Sequence, residues 1–208
     1  MLDATTVRIF AAALLVLAAG GVAALGRSVL GPRGKVVASR HPIRGSEAAW
    51  LATTLAAQAW TAGVLALPGW FYAWPGIADF SEATALQVLG LALWLLGMGL
   101  AGWATRVLGR AMTVSIQVTE GQRLVQEGPY AWVRHPIYSA NVTAALGLSL
   151  LFLSPPLLAL VLVLAGLAWY RGQLEDEFLR SPQAFGDRYE AYSARTGRFL
   201  PRFRRSGP

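Results

Sequence analysis

Two short stretches hold most of the side chains here that could do chemistry. One is Gly128-Pro129-Tyr130-Ala131-Trp132-Val133-Arg134-His135-Pro136-Ile137-Tyr138, and the other is Arg171-Gly172-Gln173-Leu174-Glu175-Asp176-Glu177. Arg171 and Glu175 are four apart, so they share one face of a helix. A guanidinium grips a carboxylate through two parallel hydrogen bonds, and a carboxylate can hold an amine or ribose hydroxyls. Tyr130, His135 and Tyr138 add flat faces with polar tips. Asp176 and Glu177 read as solvated, and Trp132 as part of an aromatic belt at a membrane interface. Between the third apolar region and the first stretch, Met112 to Gln126 is rich in Thr, Ser, Gln and Val and carries no helical stripe. It reads as extended chain or loop, whose open backbone suits a ligand with several hydrogen-bonding groups, such as a nucleoside.

Several kinds of site are excluded. The chain has no cysteine, so it has no thiolate nucleophile and no cysteine metal site. His41 and His135 are its two histidines, too few for a histidine cage; no metal is expected. No phosphate-binding glycine loop is present. Gly97-Met98-Gly99-Leu100-Ala101-Gly102 lies inside an apolar region and reads as small-residue helix packing. Arg40-His41-Pro42-Ile43 repeats the tetrapeptide of the first stretch. That copy lacks the preceding Gly-Pro-Tyr and any paired acids, so it reads as a headgroup-facing loop or coincidence. The net charge of +7 is spread between apolar segments and forms no single stripe, which argues against nucleic acid.

The element that must bring the two stretches together is the apolar tract from Ile137 to Tyr170. Ser154-Pro155-Pro156 interrupts it, and proline cannot continue a helix because it lacks an N–H and clashes with the preceding turn. The tract is therefore expected to form a helical hairpin whose ends return to one membrane face. Three further apolar regions, 7–25, 48–68 and 83–107, are each near the roughly 20 residues of a spanning helix. The expected fold is an all-α integral membrane protein with about five transmembrane helices, spans four and five forming the hairpin, and a cytoplasmic cofactor pocket. One domain, 1–208, is expected, with three spans in 1–108 and the chemistry in 109–201. Arg27, Arg33, Lys35, Arg40 and Arg44 follow span one, whereas Trp70 to Glu82 has acids and aromatics without Lys or Arg. By the positive-inside rule the N-terminus is outside, and the C-terminus and site are cytoplasmic, in a plasma or inner membrane. Asp3 beside Arg8, and the strong positive charge after the apolar run, argue against a cleaved leader. After the hairpin, Phe185, Tyr189 and Tyr192 share a face by spacing, which reads as a surface helix on the headgroups.

Taken in order, Leu124-Val125, Gly128-Pro129-Tyr130, Arg134-His135-Pro136, Tyr138, Arg171, Glu175-Asp176, Leu179, Phe185-Gly186, Tyr189 and Tyr192 closely resemble the isoprenylcysteine carboxyl methyltransferase family. Its wider relatives include phospholipid N-methyltransferases. The resemblance covers residues 117 to 201. It implies a helical membrane bundle that uses S-adenosyl-L-methionine on a lipidic or prenylated substrate. It further implies that Gln117, Gln122, Arg123, Leu124, Val125, Tyr130, His135, Pro136, Ile137 and Tyr138 line the cofactor pocket. Glu175 would hold the cofactor as well, and Arg171 would meet the substrate carboxylate; these two are the implied catalytic pair. The chain departs from the pattern in having Glu175-Asp176 where two glutamates are usual, in two extra residues before Phe185, and in Gln122 where His is common. An amine or thiol acceptor in the same fold, and a non-catalytic membrane binding or assembly protein, stay open as alternatives.

Overall fold

The structure, a computed structural model, describes residues 1–29, 35–40, 45–72, 81–112 and 116–202. Trp74, Asp79, Arg33, Arg44 and the His41-Pro42-Ile43 copy lie outside the described residues. Along the chain come α1 (Ala4–Val29), β1 (Val36–Arg40), α2 (Ser46–Ala66), α3 (Pro68–Phe71), α4 (Ala83–Leu108), β2 (Ile116–Thr119), α5 (Pro136–Leu151), α6 (Pro155–Arg180) and α7 (Asp187–Arg195). Two 3₁₀ turns, Gly109–Ala111 and Gly128–Ala131, connect them.

The hairpin forms where the prolines stand. Leu153 takes a left-handed φ of 47° and reverses the chain. Pro155 and Pro156 then occupy the first helical positions of α6, where a missing N–H costs nothing, and the Ser154 hydroxyl accepts from Leu157 N–H at 3.4 Å. Pro136 likewise starts α5 and leaves His135 just outside the helix. The residues that broke one helix begin the next.

Close packing of α4 on α5 depends on small residues, and of the glycines in the run at 97–102 Gly97 takes part. A Cβ on Gly90 would lie 2.6 Å from the Gly147 carbonyl, and one on Gly97 would lie 2.7 Å from the Ala140 carbonyl. A Cβ on Gly147 would lie 2.5 Å from the Trp94 backbone nitrogen. Gly99 and Gly102 meet nothing within 4 Å. The packing stripe is thus Gly90 and Gly97 against Ala140, Ala144 and Gly147.

At one end of the bundle, fully buried Gln87 satisfies its polar atoms. Its carbonyl accepts from Leu2 N–H at 2.9 Å, and its amide donates to the Tyr72 hydroxyl at 2.9 Å and the Leu151 carbonyl at 3.0 Å. That network ties the starts of α1 and α4 to the end of α5. The start of α2, the end of α4, the start of α5 and the end of α6 consequently gather at the opposite end. Large apolar side chains on the helix exteriors are exposed, among them Val16, Leu55, Val88, Leu96, Leu162 and Val163. Among the described helices, α4 and α6 are long and apolar enough to cross a membrane, while Ala4–Gly20 and α5 are apolar but shorter.

Two expectations need correcting. The fold is mostly helical but not all-α: β1 pairs antiparallel with β2, Arg40 opposite Ile116 and Val36 opposite Thr119. The segment from Met112 to Gln126 is extended at 116–119, as expected, but part of its backbone is consumed by this ribbon. Secondly, the Phe185, Tyr189 and Tyr192 face is folded into the protein and does not lie on headgroups. It packs with Ile116, Val118 and Phe178 in a second core, because β2 presents two buried apolar side chains to it.

Candidate active site

His135 and Glu175 are the first test of the hairpin, and they meet. His135 Nδ1 lies 3.5 Å from Glu175 Oε2, and its Nε2 lies 2.8 Å from Asp176 Oδ1. Glu175 Oε2 also accepts from the Tyr138 hydroxyl at 3.2 Å, and Arg171 Nε donates to that same hydroxyl at 3.4 Å. Among the described residues both contacts to Glu175 fall on Oε2, which leaves Oε1 able to accept from a ligand. A third of the Glu175 side chain is exposed, whereas Arg171 is buried.

Asp176 is the largest correction to the sequence reading. It is fully buried, and it accepts from five donor atoms on four side chains. Arg134 grips both of its oxygens at 3.3 and 3.1 Å, the Tyr189 hydroxyl donates at 2.6 Å, and Arg198 Nε donates at 2.8 Å. His135 completes the set. A buried carboxylate is tolerated only with such compensation. Glu177, as expected, is solvated, although it pairs with Arg40 of β1 at 3.0 Å.

Arg198 belongs to a strap that runs beside residues 132–135. Gly197 N–H donates to the Trp132 carbonyl at 3.1 Å; Arg134 N–H and His135 N–H donate to the Gly197 and Arg198 carbonyls at 2.9 and 3.0 Å. The Ser139 hydroxyl donates to the Phe199 carbonyl at 2.7 Å, and the Phe199 ring lies 5.7 Å from the imidazole. Arg198 also stacks over Trp169 at 5.3 Å.

With carboxylates at both ring nitrogens, His135 can donate to both only as imidazolium. Burial alone would lower its pKa, but hydrogen bonds to Asp176 and Glu175 outweigh that and push it up to about 9. The Tyr130 hydroxyl is pushed well above the usual phenol range by burial and by the Glu175 charge. Tyr192, also by burial, is pushed up to about 12. These phenols stay neutral donors at physiological pH. The His135 shift has a consequence for stability. Its raised folded-state value means the folded form holds a proton that the unfolded form loses above pH ~6.5. That stabilisation is complete below about pH 6.5 and disappears as pH climbs through about 9. The melting temperature of detergent-solubilised protein is therefore expected to fall across that window, and His135→Gln should flatten the fall. A wild-type curve level from pH 6.5 to 9 would contradict the assignment.

All the residues expected to hold the cofactor or the acceptor border one cavity of about 830 Å³. Gln117 of β2 lines it, as do Gln122, Leu124 and Val125 of the following loop. Arg123 is at its edge with a side chain that is 83% exposed and paired with Glu127. Tyr130, His135, Pro136, Ile137 and Tyr138 form the wall from the turn into α5, and Arg171 and Glu175 come from α6. The Gln122 carbonyl accepts from Thr119 N–H at 2.9 Å, so its amide N–H₂ is the end left to donate to a ligand. The structure brings the expected residues together; two groups were missed. Arg134, Tyr189 and Arg198 fix Asp176; Arg134 and Tyr189 were among the residues of the resemblance but without this role, and Arg198 carried no sequence signal. Glu47, Trp50, Leu51 and Thr54 of α2 form another wall, readable only as a single-face spacing within an apolar helix. A cavity lined on one side by hydrogen-bonding groups and on the other by apolar ones can hold a polar cofactor against a lipid.

The chain has likenesses to known proteins. Residues 88–180 match the model of the isoprenylcysteine carboxyl methyltransferase family. A probable protein-S-isoprenylcysteine O-methyltransferase of Oryza sativa subsp. indica is 29% identical over 126 residues, 59% of this chain and 65% of that protein. The cobalt-zinc-cadmium resistance protein CzcN of Cupriavidus metallidurans is 36% identical over 111 residues, 52% of this chain. The chain spans about half the length of that relative, 50%. A solved eukaryotic intramembrane Ras methyltransferase, ICMT, superposes with a TM-score of 0.53 at 20% identity, covering 92% of this chain and 74% of that one. That last likeness is one of fold.

Proposed function

We propose that this chain, whose residues 88–180 carry the pattern of the isoprenylcysteine carboxyl methyltransferase family, transfers a methyl group from S-adenosyl-L-methionine to the carboxylate of a lipidic substrate. The observation that carries the reading is the linkage Arg171–Tyr138–Glu175–His135 on the wall of one cavity. The cavity's size is within the ~300–1,000 Å³ of small-molecule sites. Its donor set also fits the cofactor. Oε1 of Glu175 can accept from an amine or ribose hydroxyl, the Gln122 amide can donate to a base edge, and Tyr130 offers a ring face. The cofactor supplies an electrophilic methyl group on a sulfonium.

The protein's own part is placement. A carboxylate acceptor is already ionised near neutral pH, so no general base is required of His135. The imidazolium instead holds Glu175 from one side while Tyr138 holds it from the other. The Tyr138 hydroxyl also accepts from Arg171, so the group that holds the cofactor and the group that orients the acceptor share one hinge. Arg171 would present its guanidinium to the acceptor carboxylate. Alignment of this kind can remove much of a barrier without proton transfer. Burial of Arg171 and His135 keeps bulk water from the reacting groups. The helix exteriors would lie in lipid, with α1, α2, α4, α5 and α6 as five crossings and the site on the cytoplasmic side; the basic segments at that end support this orientation.

Calorimetry with S-adenosylhomocysteine, followed by labelled-cofactor incubation with a total membrane extract, tests the proposal. Binding at micromolar concentration and transfer of label into a base-labile lipid ester are expected. Absence of binding would end the methyltransferase reading, and a base-stable product would shift the acceptor to an amine or thiol.

A further inference from the structure

The His135 imidazole has a wall that no step of the proposed chemistry uses. Phe199 of the strap lies 5.7 Å from it between centroids, at 37°, while Tyr138 stacks on it at 5.5 Å and 22°. Both separations suit attraction between an imidazolium and an aromatic ring. The Phe199 ring also has a prepared seat. Gly172 is one helical turn before Glu175 and Asp176 on the same face of α6. A Cβ there would lie 2.8 Å from Phe199 Cζ, 3.2 Å from its Cε1 and 3.5 Å from His135 Cδ2. Glycine is unfavourable inside a helix, so a notch at this point asks for a reason, and the ring fills it. The backbone at Phe199 is pinned as well, since its carbonyl accepts from the Ser139 hydroxyl at 2.7 Å. Trp169 of α6 borders the ring at 5.9 Å. Phe199 lies beyond the segment 88–180 that carries the family pattern.

We propose that Phe199, seated at Gly172, is a positioning residue for the cofactor site: its ring holds the His135 imidazole in the rotation that puts one nitrogen on Glu175 and the other on Asp176. The inference rests on the methyltransferase reading above and extends that site to the strap. His135 precedes α5 and its backbone is not helical, so the helix does not fix the ring. Asp176 holds one nitrogen at 2.8 Å, but the Glu175 contact is longer, at 3.5 Å. Rotation about the Cβ–Cγ bond would give up the longer contact first, and a ring packed against the imidazole opposes that rotation. Without His135, Glu175 would keep only the Tyr138 hydroxyl, at 3.2 Å, as a hydrogen-bond partner among the described residues. A carboxylate so loosely held is a poor acceptor for the cofactor.

Magic-angle-spinning NMR of the full chain in lipid bilayers, with isotope-labelled histidine, reads the ring directly. The chain has two histidines, and His135→Gln identifies the His135 signals. Wild type should give one pair of ring-nitrogen signals for His135. Phe199→Ala should add a second pair, from rings that have left Glu175. It should also weaken S-adenosylhomocysteine binding about 10-fold, the scale of one hydrogen bond to a charged group. Gly172→Ala should do the same by pushing the ring from its seat. Leucine is too short to reach the notch, so Gly172→Ala with Phe199→Leu should bind at least about 3-fold more tightly than Gly172→Ala alone. A purely structural role would lower affinity and melting temperature without adding ring signals. A single unchanged pair in both Phe199→Ala and Gly172→Ala therefore overturns the inference, whatever their affinity. Two pairs with wild-type affinity overturn it too, as does a double variant no tighter than Gly172→Ala. Should Phe199→Ala not fold, Gly172→Ala and the double variant decide by the same criteria. Wild-type protein that does not bind S-adenosylhomocysteine sinks the methyltransferase reading, and the cofactor role of Phe199 with it, before any variant is made.

Discussion

Asp176→Asn is expected to lower the melting temperature by about 10 °C and to abolish S-adenosylhomocysteine binding, although Asp176 does not border the cavity. Asparagine keeps the shape but removes the charge, and its amide N–H₂ would face donors. Arg134, Arg198 and His135 would lose their shared counter-ion inside a fully buried site. Breaking such a cluster by removing one partner costs about 3–5 kcal/mol, and a chain of this size loses roughly 2–4 °C per kcal/mol. The binding defect would follow from the imidazole, which reaches Glu175 only while Asp176 holds its other nitrogen. Thermal melts in detergent beside calorimetry check both halves. A variant that melts with wild type would mean that Asp176 is a dispensable acceptor and that the sequence reading of a solvated acid was right.

The second large effect is expected at Arg171. Arg171→Met keeps an unbranched apolar stem of similar volume and removes the guanidinium. It should cut kcat by about 100-fold or more, the scale associated with a misplaced reactant. S-adenosylhomocysteine affinity should change little, because Glu175 keeps both His135 and Tyr138. The split between turnover and cofactor affinity separates an orienting role from a structural one. Equal loss of both would place Arg171 among the groups that hold the cofactor pocket together.

The parts of the fold that could be read from sequence were those signalled locally. Ser154-Pro155-Pro156 stops one helix and starts another whatever surrounds it, so the hairpin, and the meeting of His135 with Glu175, followed from the chain alone. The ribbon was not legible. Val36-Val37-Ala38-Ser39-Arg40 is short and ends in charge, and its partner is far along the sequence, so no turn announces the pairing. Asp176 was misread for the same reason. An acid within Glu175-Asp176-Glu177 looks solvated, and the arginines that make its burial possible are 42 and 22 residues away. The aromatic stripe at Phe185, Tyr189 and Tyr192 was visible as a face, but spacing cannot say whether that face meets lipid or protein. Here it meets β2, a segment read as extended whose pairing and packing no local signal announced.

The strap of Thr196 to Phe199 supplies contacts that α5 and α6 cannot make by themselves. The strap follows both α5 and α6 along the chain, so the hairpin can close on itself before the strap docks. Until it follows, Arg134 has no Thr196 carbonyl and Asp176 no Arg198. Closing of the hairpin and completion of the Asp176 cluster are therefore separable steps in folding, and the second waits on residues 196–199.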